Sequence, residues 1–341
     1  MSDIKVNNIQ SLSGTNGPVI SGTVEMNSNG AMALPRGDTA YRGGRGRGIW
    51  AGGLSPSFIN TIQYVTIATT GNASDFGDMT KVSSAAASSS STRAVIFHGL
   101  TPSVINSIEY VTIPSTGNSF DFGDSIVTVY ETASASNNIR GLNAGGFSSG
   151  SGVPANTETI EYVTIASISN AVDFGDLTMG RRAAGGLSSP TRACFAAGYQ
   201  QPNTATKTNI IDYVTIATLG NAQDFGKLTQ SGWGPAAMSD STRGVYAGRL
   251  TPGLESTIDY ITISSKGDAT DFGDTTAACG RGTGFSNKIR GVYCLGNSSP
   301  TVVNTIDYIT IATTGNASDF GDLLVTTHQA GATSDSHGGL G

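Results

Sequence analysis

The chain has 341 residues, of which 38% are hydrophobic and 13% charged, with 46 glycines and a formal net charge of −6. A negative balance excludes a general nucleic-acid binder, because phosphate recognition needs a basic surface that releases counterions. So few charges among so much Gly also exclude long amphipathic helices and leave short strands joined by tight turns.

Residues 1–46 do not repeat. The opening Met1-Ser2-Asp3-Ile4-Lys5-Val6-Asn7-Asn8 lacks the apolar core of a signal peptide. No later stretch is long and apolar enough to span a bilayer, so the expectation is synthesis in a cytoplasm without membrane insertion. Val19, Thr23 and Val24 alternate among Gly and Asn turns as short strands would. So short a segment buries too little surface to fold alone and needs a partner, either copies of itself or a larger assembly. Arg36-Gly37-Asp38, an integrin-type tripeptide, stands without extracellular targeting and reads as chance. Arg42, Arg45 and Arg47 lie in a Gly-rich run; Arg47 has a place in the repeat that follows, and the rest reads as a joint rather than an RNA-binding box.

From Arg47 one unit recurs six times. Tyr64, Tyr110, Tyr162, Tyr213, Tyr260 and Tyr308 each open a run such as Tyr64-Val65-Thr66-Ile67, and each is followed twelve residues later by Phe76, Phe122, Phe174, Phe225, Phe272 or Phe320. The spacing between copies drifts, from 46 residues between Tyr64 and Tyr110 to 52 between Tyr110 and Tyr162. The Tyr-to-Phe frame is therefore rigid and insertions fall outside it. Each unit carries four strand signals: a small-residue segment such as 182–186, a second after an Arg (243–248), a third (258–263), and a fourth reaching Asp271-Phe272-Gly273-Asp274. Four short strands in about fifty residues make a propeller blade. The predicted fold is an all-β, six-bladed β-propeller over 47–341 behind a short β-rich arm, 1–46. Ala, Gly and Ser suit the crowded innermost strands, and the Tyr and Phe fill the space between blades. The first clear blade strand, 47–53, is a second strand, whereas 327–334, beyond the sixth Phe, reads as an innermost one. Together they predict a ring closed by the C-terminus, which leaves no exposed edge.

Arg47, Arg93, Arg140, Arg192, Arg243 and Arg290 recur at one slot, with His337 in the final, incomplete copy. A buried Arg needs partners, so each is expected to be buried and paired with a repeated carboxylate. Asp-Phe-Gly, beginning at Asp75, Asp121, Asp173, Asp224, Asp271 and Asp319, reads as a structural turn, since the Lys and His-Arg-Asp motifs of a kinase are missing. A second carboxylate three residues on, as at Asp78 and Asp322, supplies too few oxygens for calcium. Of 25 acidic residues, 16 fill three repeat slots, including Glu109, Glu161, Asp212, Asp259 and Asp307 before the Tyr; their number follows from the fold. Cys194, Cys279 and Cys294 lack metal-site spacing, and His98, His328 and His337 fall in unrelated contexts. No catalytic residue, metal or cofactor is expected, and the chain does not read as an enzyme.

Ligand contact is expected at the loops between second and third strands, 54–60, 100–106, 147–159, 199–209, 250–256 and 297–304, all projecting from one face. Their candidate contacts are Pro56, Phe58, Pro102, Val104, Pro154, Pro202, Lys207, Pro252, Leu254, Pro300 and Val302, with Phe58, Val104 and Leu254 exposed.

The units resemble kelch repeats, whose plan is an Arg, a strand ending in Gly-Gly, a strand carrying Tyr, and an outer aromatic. Gly52-Gly53 and Gly145-Gly146 match the Gly pair, Gly99, Gly198, Gly248 and Gly296 keep one, and Phe replaces the outer Trp. The resemblance runs from about Arg47 to His337 and implies an architecture but no particular function. The N-terminal pattern Val6-x-x-Ile9-x-x-x-Ser13-Gly14-Thr15-x-x-Pro18 resembles the opening segments of tailed-bacteriophage fibres and other virion structural proteins. That likeness implies a tail fibre, baseplate or other tail-associated component made in the host cytoplasm. It would dock on other virion proteins through 1–46, most plausibly as a homotrimer, and its propeller would serve assembly and attachment to a host-surface glycan or protein. Capsid decoration or a head fibre, a cellular kelch-type scaffold and, last, a propeller glycosidase are the alternatives.

Overall fold

The computed structural model describes residues 46–54, 56–148, 155–200, 206–298 and 301–340; the expected docking strands of the N-terminal arm, with Pro154, Pro202 and Pro300, lie outside them. The described residues form six antiparallel four-stranded sheets and contain no α-helix. From the innermost strand outwards, blade 1 is Gly331–Ser334, Arg47–Leu54, Phe58–Thr66 and Ser74–Asp78. Blade 2 is Ala85–Ser89, Arg93–His98, Ser107–Thr112 and Phe120–Asp124. Blade 3 is Ala133–Ser136, Arg140–Ala144, Thr159–Thr164 and Val172–Asp176; blade 4 is Gly185–Ser188, Arg192–Ala196, Thr208–Thr215 and Gln223–Gly232. Blade 5 is Ala236–Ser239, Arg243–Leu250, Leu254–Thr262 and Thr270–Cys279, and blade 6 is Gly284–Ser286, Arg290–Cys294, Thr305–Thr310 and Ser318–Asp322. The fold is a six-bladed β-propeller, as the repeat predicts.

Strand periodicity explains where the core lies. Alternate residues face opposite sides of a blade, and both sides are apolar because both meet a neighbour. Each buried cluster therefore joins two blades: Phe76 of blade 1 packs with Ile96, Val111 and Ile113 of blade 2. Phe320 of blade 6 packs with Trp50, Val65 and Ile67 of blade 1. Within each blade the repeated Tyr meets the repeated Phe edge to face, as for Tyr64 and Phe76 at 6.0 Å and 80° or Tyr308 and Phe320 at 6.0 Å and 74°. The geometry is that of favourable aromatic pairs.

The ring closes where the sequence predicts. Gly331–Ser334 pairs antiparallel with the N-terminal strand, from Gly48 opposite Ser334 to Ala51 opposite Gly331. One boundary differs. The small-residue segment 182–186 is not itself an inner strand: Arg181–Arg182 pairs with Tyr199–Gln200 in a separate ribbon, and the inner strand starts at Gly185. Small residues suit the tight connection before the axis as well as the axis itself, so composition alone does not separate them.

The inner strands end in a ring of six serines. The Ser136 hydroxyl donates to the carbonyl of Ser89 at 3.0 Å, Ser188 to Ser136 at 2.7 Å and Ser239 to Ser188 at 2.7 Å. Ser286 donates to Ser239 at 2.6 Å, Ser334 to Ser286 at 2.6 Å, and Ser89 returns to Ser334 at 2.7 Å. The C-terminal tail then crosses this end of the axis. The Asp335 carboxylate accepts from the Arg47 amide at 3.0 Å, His337 Nε2 lies 3.0 Å from the Ser89 carbonyl, and Gly338–Leu340 form a buried 3₁₀ turn.

The outer rim is stitched in the opposite cyclic sense, each blade donating to the next. The Asp78 amide of blade 1 donates to Asn118 Oδ1 of blade 2 at 3.0 Å, and the Asp322 amide of blade 6 to Asn72 of blade 1 at 3.1 Å. The Gly of Asp-Phe-Gly is needed for this contact. Gly273 sits at φ +146°, and a Cβ there would come within 2.5 Å of the Gly315 carbonyl oxygen in the next blade.

Removing residues 326–341 deletes an inner strand, one sixth of the serine ring and the axial closure together. Such a variant is expected to expose strand edges and Trp50, to lose a single cooperative melt and to elute as aggregate in size-exclusion chromatography.

Candidate binding face and axial funnel

In an antiparallel blade read from the axis, the hairpins joining second to third strands leave on the same side as the connections from each outer strand to the next inner strand. All six second-to-third hairpins thus share one face with the start of every inner strand. The strand ends that carry the expected loops lie together there, but the apolar loop residues among the described ones are not free tips. Phe58 lies opposite Leu54, Val104 opposite Leu100, Leu254 opposite Leu250 and Val302 opposite Asn297, all half-buried as braces of short hairpins. Pro56, Pro102 and Pro252 are the exposed members. Lys207 is half-buried, and its ammonium donates to the Thr251 carbonyl in the neighbouring blade.

The repeated Arg residues lie toward the opposite face and depart from expectation. Only Arg47 is buried; the other five are half-exposed. Each guanidinium bonds a backbone carbonyl in the next blade: Arg47 to Ile113 at 2.8 Å, Arg93 to Ile165 at 2.9 Å and Arg140 to Ile216 at 2.8 Å. Arg192 reaches Ile263 at 3.0 Å, Arg243 Ile311 at 2.9 Å, and Arg290 closes the circle on Ile67 at 3.3 Å. Each also stacks over its own blade's repeated Tyr, 4.3 Å from the ring centre for Arg47 and 4.4 Å for Arg243. A cation over an aromatic face with a carbonyl ahead of it needs no carboxylate. The salt bridges among the described residues use other cations: Arg181 with Asp212 at 2.8 Å, Arg249 with Asp259 at 2.7 Å, His98 with Glu109 and Arg182 with Glu131.

The acidic slot before the Tyr, rather than the Arg slot, is fully buried, and it latches each blade to the one before. The Thr80 amide donates to Glu109 at 3.1 Å and the Ile126 amide to Glu161 at 2.8 Å. Thr178 donates to Asp212 at 3.1 Å, Thr229 to Asp259 at 3.2 Å, Thr276 to Asp307 at 3.0 Å, and Leu324 to Gln63 at 2.8 Å. In four blades the hydroxyl of the same Thr adds a second bond, and a further donor differs from blade to blade: Asn143 at 2.9 Å for Glu161, Arg181 for Asp212, Arg249 for Asp259, and the Tyr293 hydroxyl at 3.4 Å for Asp307. Burial raises the pKa of Glu161 and Asp307. At Glu109 the same burial is outweighed by His98, whose Nε2 lies 3.2 Å away, and by bonds from Ser119 and Thr80, and the carboxyl falls to about 2.

The axial channel is closed at the serine ring by the tail and opens on the hairpin face as a funnel. Counting back five residues from each ring serine gives its rim: Ser84, Glu131, Ala183, Gly234, Arg281 and Gln329. Five of the six have left-handed backbone, with φ of 57° at Glu131, 54° at Ala183, 65° at Gly234, 58° at Arg281 and 57° at Gln329. Outside Gly this costs about 1–3 kcal/mol each. Backbone bonds hold it: the amide of Ala183 donates to the Glu131 carbonyl at 2.7 Å, Gly234 to Ala183 at 2.8 Å, Arg281 to Gly234 at 2.8 Å, and Gln329 to Arg281 at 3.2 Å. Gln329 Nε2 donates to Glu131 Oε1 at 2.5 Å across the rim. Trp233 is stacked between Tyr199, at 4.8 Å between centroids, and the guanidinium of Arg281, at 4.4 Å. These rim residues escape a search for repeats because their side chains all differ; only the constant offset from the serine marks them.

Among the described residues no three His, Cys, Asp or Glu side chains lie together as metal ligands. The three cysteines are buried thiols, with Cys194 and Cys279 pushed up to about 12 by burial. No protein-family model and no curated protein sequence matches this chain.

Two outcomes follow from these contacts. Replacing Arg243 with Ala removes one charge-assisted carbonyl bond and one ring stack at a half-exposed site, so the loss in denaturant unfolding is expected near 2 kcal/mol, below the 3–5 kcal/mol typical of breaking a buried ion pair. Burial, with the Arg281 charge adding at His328, lowers His328 to about 4, and burial lowers His337 to about 4. Because the unfolded chain binds these protons first, stability is fully present above pH 6.5 and falls as the pH drops toward 4. Glu161 and Asp307, with raised pKa, act in the opposite direction, so His337→Gln isolates the histidine: its melting temperature should fall less than the parent's between pH 7 and 4.5.

Proposed function

We propose that the chain is a virion structural protein of a tailed phage, a fibre, baseplate or other tail-associated component that presents its propeller for assembly and host-surface attachment. The observation that carries the reading is the asymmetry of the ring. One end of the axis is sealed by the chain's own tail, while the other gathers six hairpins and an open funnel on a single face, the arrangement of a module that displays one side. The kelch-like plan of the repeats is consistent with a binding scaffold. The phage-like pattern at Val6 to Pro18 supports docking of the arm 1–46 on other virion proteins, with a homotrimer as the favoured state. Host-surface glycan or protein is the ligand class, with no cofactor and no catalytic step.

The test is mass spectrometry of purified particles together with adsorption assays. The protein should be present in stoichiometric copies, and exchanging the 147–159 and 199–209 loops for the short 250–256 version should lower adsorption while leaving particle incorporation intact. Absence from particles would contradict the virion assignment; unchanged adsorption would remove the hairpins from ligand contact.

A further inference from the structure

One cation lining the funnel is held by an aromatic ring alone. The described residues supply no hydrogen-bond acceptor or carboxylate to the Arg281 guanidinium, and its Nε is buried without a partner. Its neighbours are the indole of Trp233 behind it and His328, a group disfavoured from charging beside it. Where a guanidinium is structural it meets an acceptor, a carboxylate for Arg181 and Arg249 and a carbonyl for Arg47. Arg281 instead lines the open funnel, whose wall sets a few polar groups among apolar ones. The aromatic backing fixes the planar fork, so that little order is lost when a ligand engages it.

The remaining wall narrows the ligand. Across the rim Glu131 is ionisable and held by Gln329 and Arg182, while Ser84, Thr132 and Thr283 line the funnel between them. A carboxylate matches the fork of Arg281 bidentately. Hydroxyl groups on the same ligand can donate to Glu131 and exchange hydrogen bonds with Gln329 and the rim hydroxyls. A phosphate, with more negative charge and fewer donors, would be repelled by Glu131.

We propose that the axial funnel binds one acidic sugar residue, of the uronic- or sialic-acid class, with its carboxylate on Arg281 and its hydroxyls on the Glu131 side of the rim. This deepens the reading of the protein as a ligand-displaying propeller, and because it is tested on the purified full chain its failure leaves particle incorporation unaffected. Isothermal titration with sodium glucuronate and N-acetylneuraminate should give saturable one-site binding, with glucose and inorganic phosphate each at least tenfold weaker. Arg281→Gln should weaken binding of both acids at least tenfold while still unfolding in one cooperative transition, its melting temperature lowered only by the lost ring stack, and Glu131→Gln should narrow the preference over phosphate. No saturable binding of either acid would overturn the proposal. So would equal binding by Arg281→Gln, or phosphate binding as tight as glucuronate. Should either variant melt early, saturation-transfer NMR on the native chain decides instead: transfer to the sugar-ring protons of glucuronate that excess glucose does not displace supports the site, and its absence overturns it.

Discussion

A carboxylate taken out of water is unfavourable by several kcal/mol unless its lone pairs are met, and in this ring five of the six third-strand acceptors are carboxylates buried to 1% exposure or less. Their first donor is never in their own blade. Each waits for an amide within or just beyond the outer strand of the preceding blade, so a blade taken alone would hold an unsatisfied buried charge as well as two bare apolar faces. The same directionality runs through the Arg–carbonyl bonds and the outer-rim Asn contacts, while the axial serine hydroxyls donate the other way round the ring. Repeats joined only to neighbours ordinarily need polar caps at the ends of the array; here the last repeat's neighbour is the first. At that seam the acceptor is Gln63, a neutral side chain taking the Leu324 amide.

The architecture was legible because its determinants are local and repeated. Tyr-to-Phe spacing, the Arg slot and the orphan inner strand after Phe320 together define the blade, the number of blades and the way the ring shuts. What lay beyond reach was the partner chosen across a blade interface. Arg243 reads from sequence as a buried charge in need of an acid, since an Arg and an acid recur once per unit. In three dimensions the two slots lie toward different faces, and the Arg is satisfied by a carbonyl that any sequence would supply. Backbone acceptors leave no trace in composition. Likewise Phe58, Val104 and Leu254 read as exposed because they flank Pro in loops, whereas tight hairpins fold them back on the residue opposite.

The rim of the funnel is a different case. Glu131, Arg281 and Gln329 occupy equivalent backbone positions with left-handed torsions, yet share no side-chain chemistry. A repeat that keeps its backbone and varies its side chains separates the scaffold's needs from whatever the side chains meet. The strictly repeated Arg, Asp, Tyr and Phe hold the ring together, and the unrepeated residues around the axial opening are those released from that duty. The closed end shows the contrast: Ser89 through Ser334 repeat faithfully, and the tail that covers them is held by Asp335 and His337.

The central claim, that interblade latches make the six blades one cooperative unit closed by the C-terminal strand, is tested most directly by native-state hydrogen exchange. The amides of Thr80, Ile126, Thr178, Thr229, Thr276 and Leu324 should exchange only with global unfolding, at one common free energy and with one common denaturant dependence. Exchange of Leu324 or Thr80 through a smaller opening, with the latches of blades 3 to 5 still protected, would contradict it.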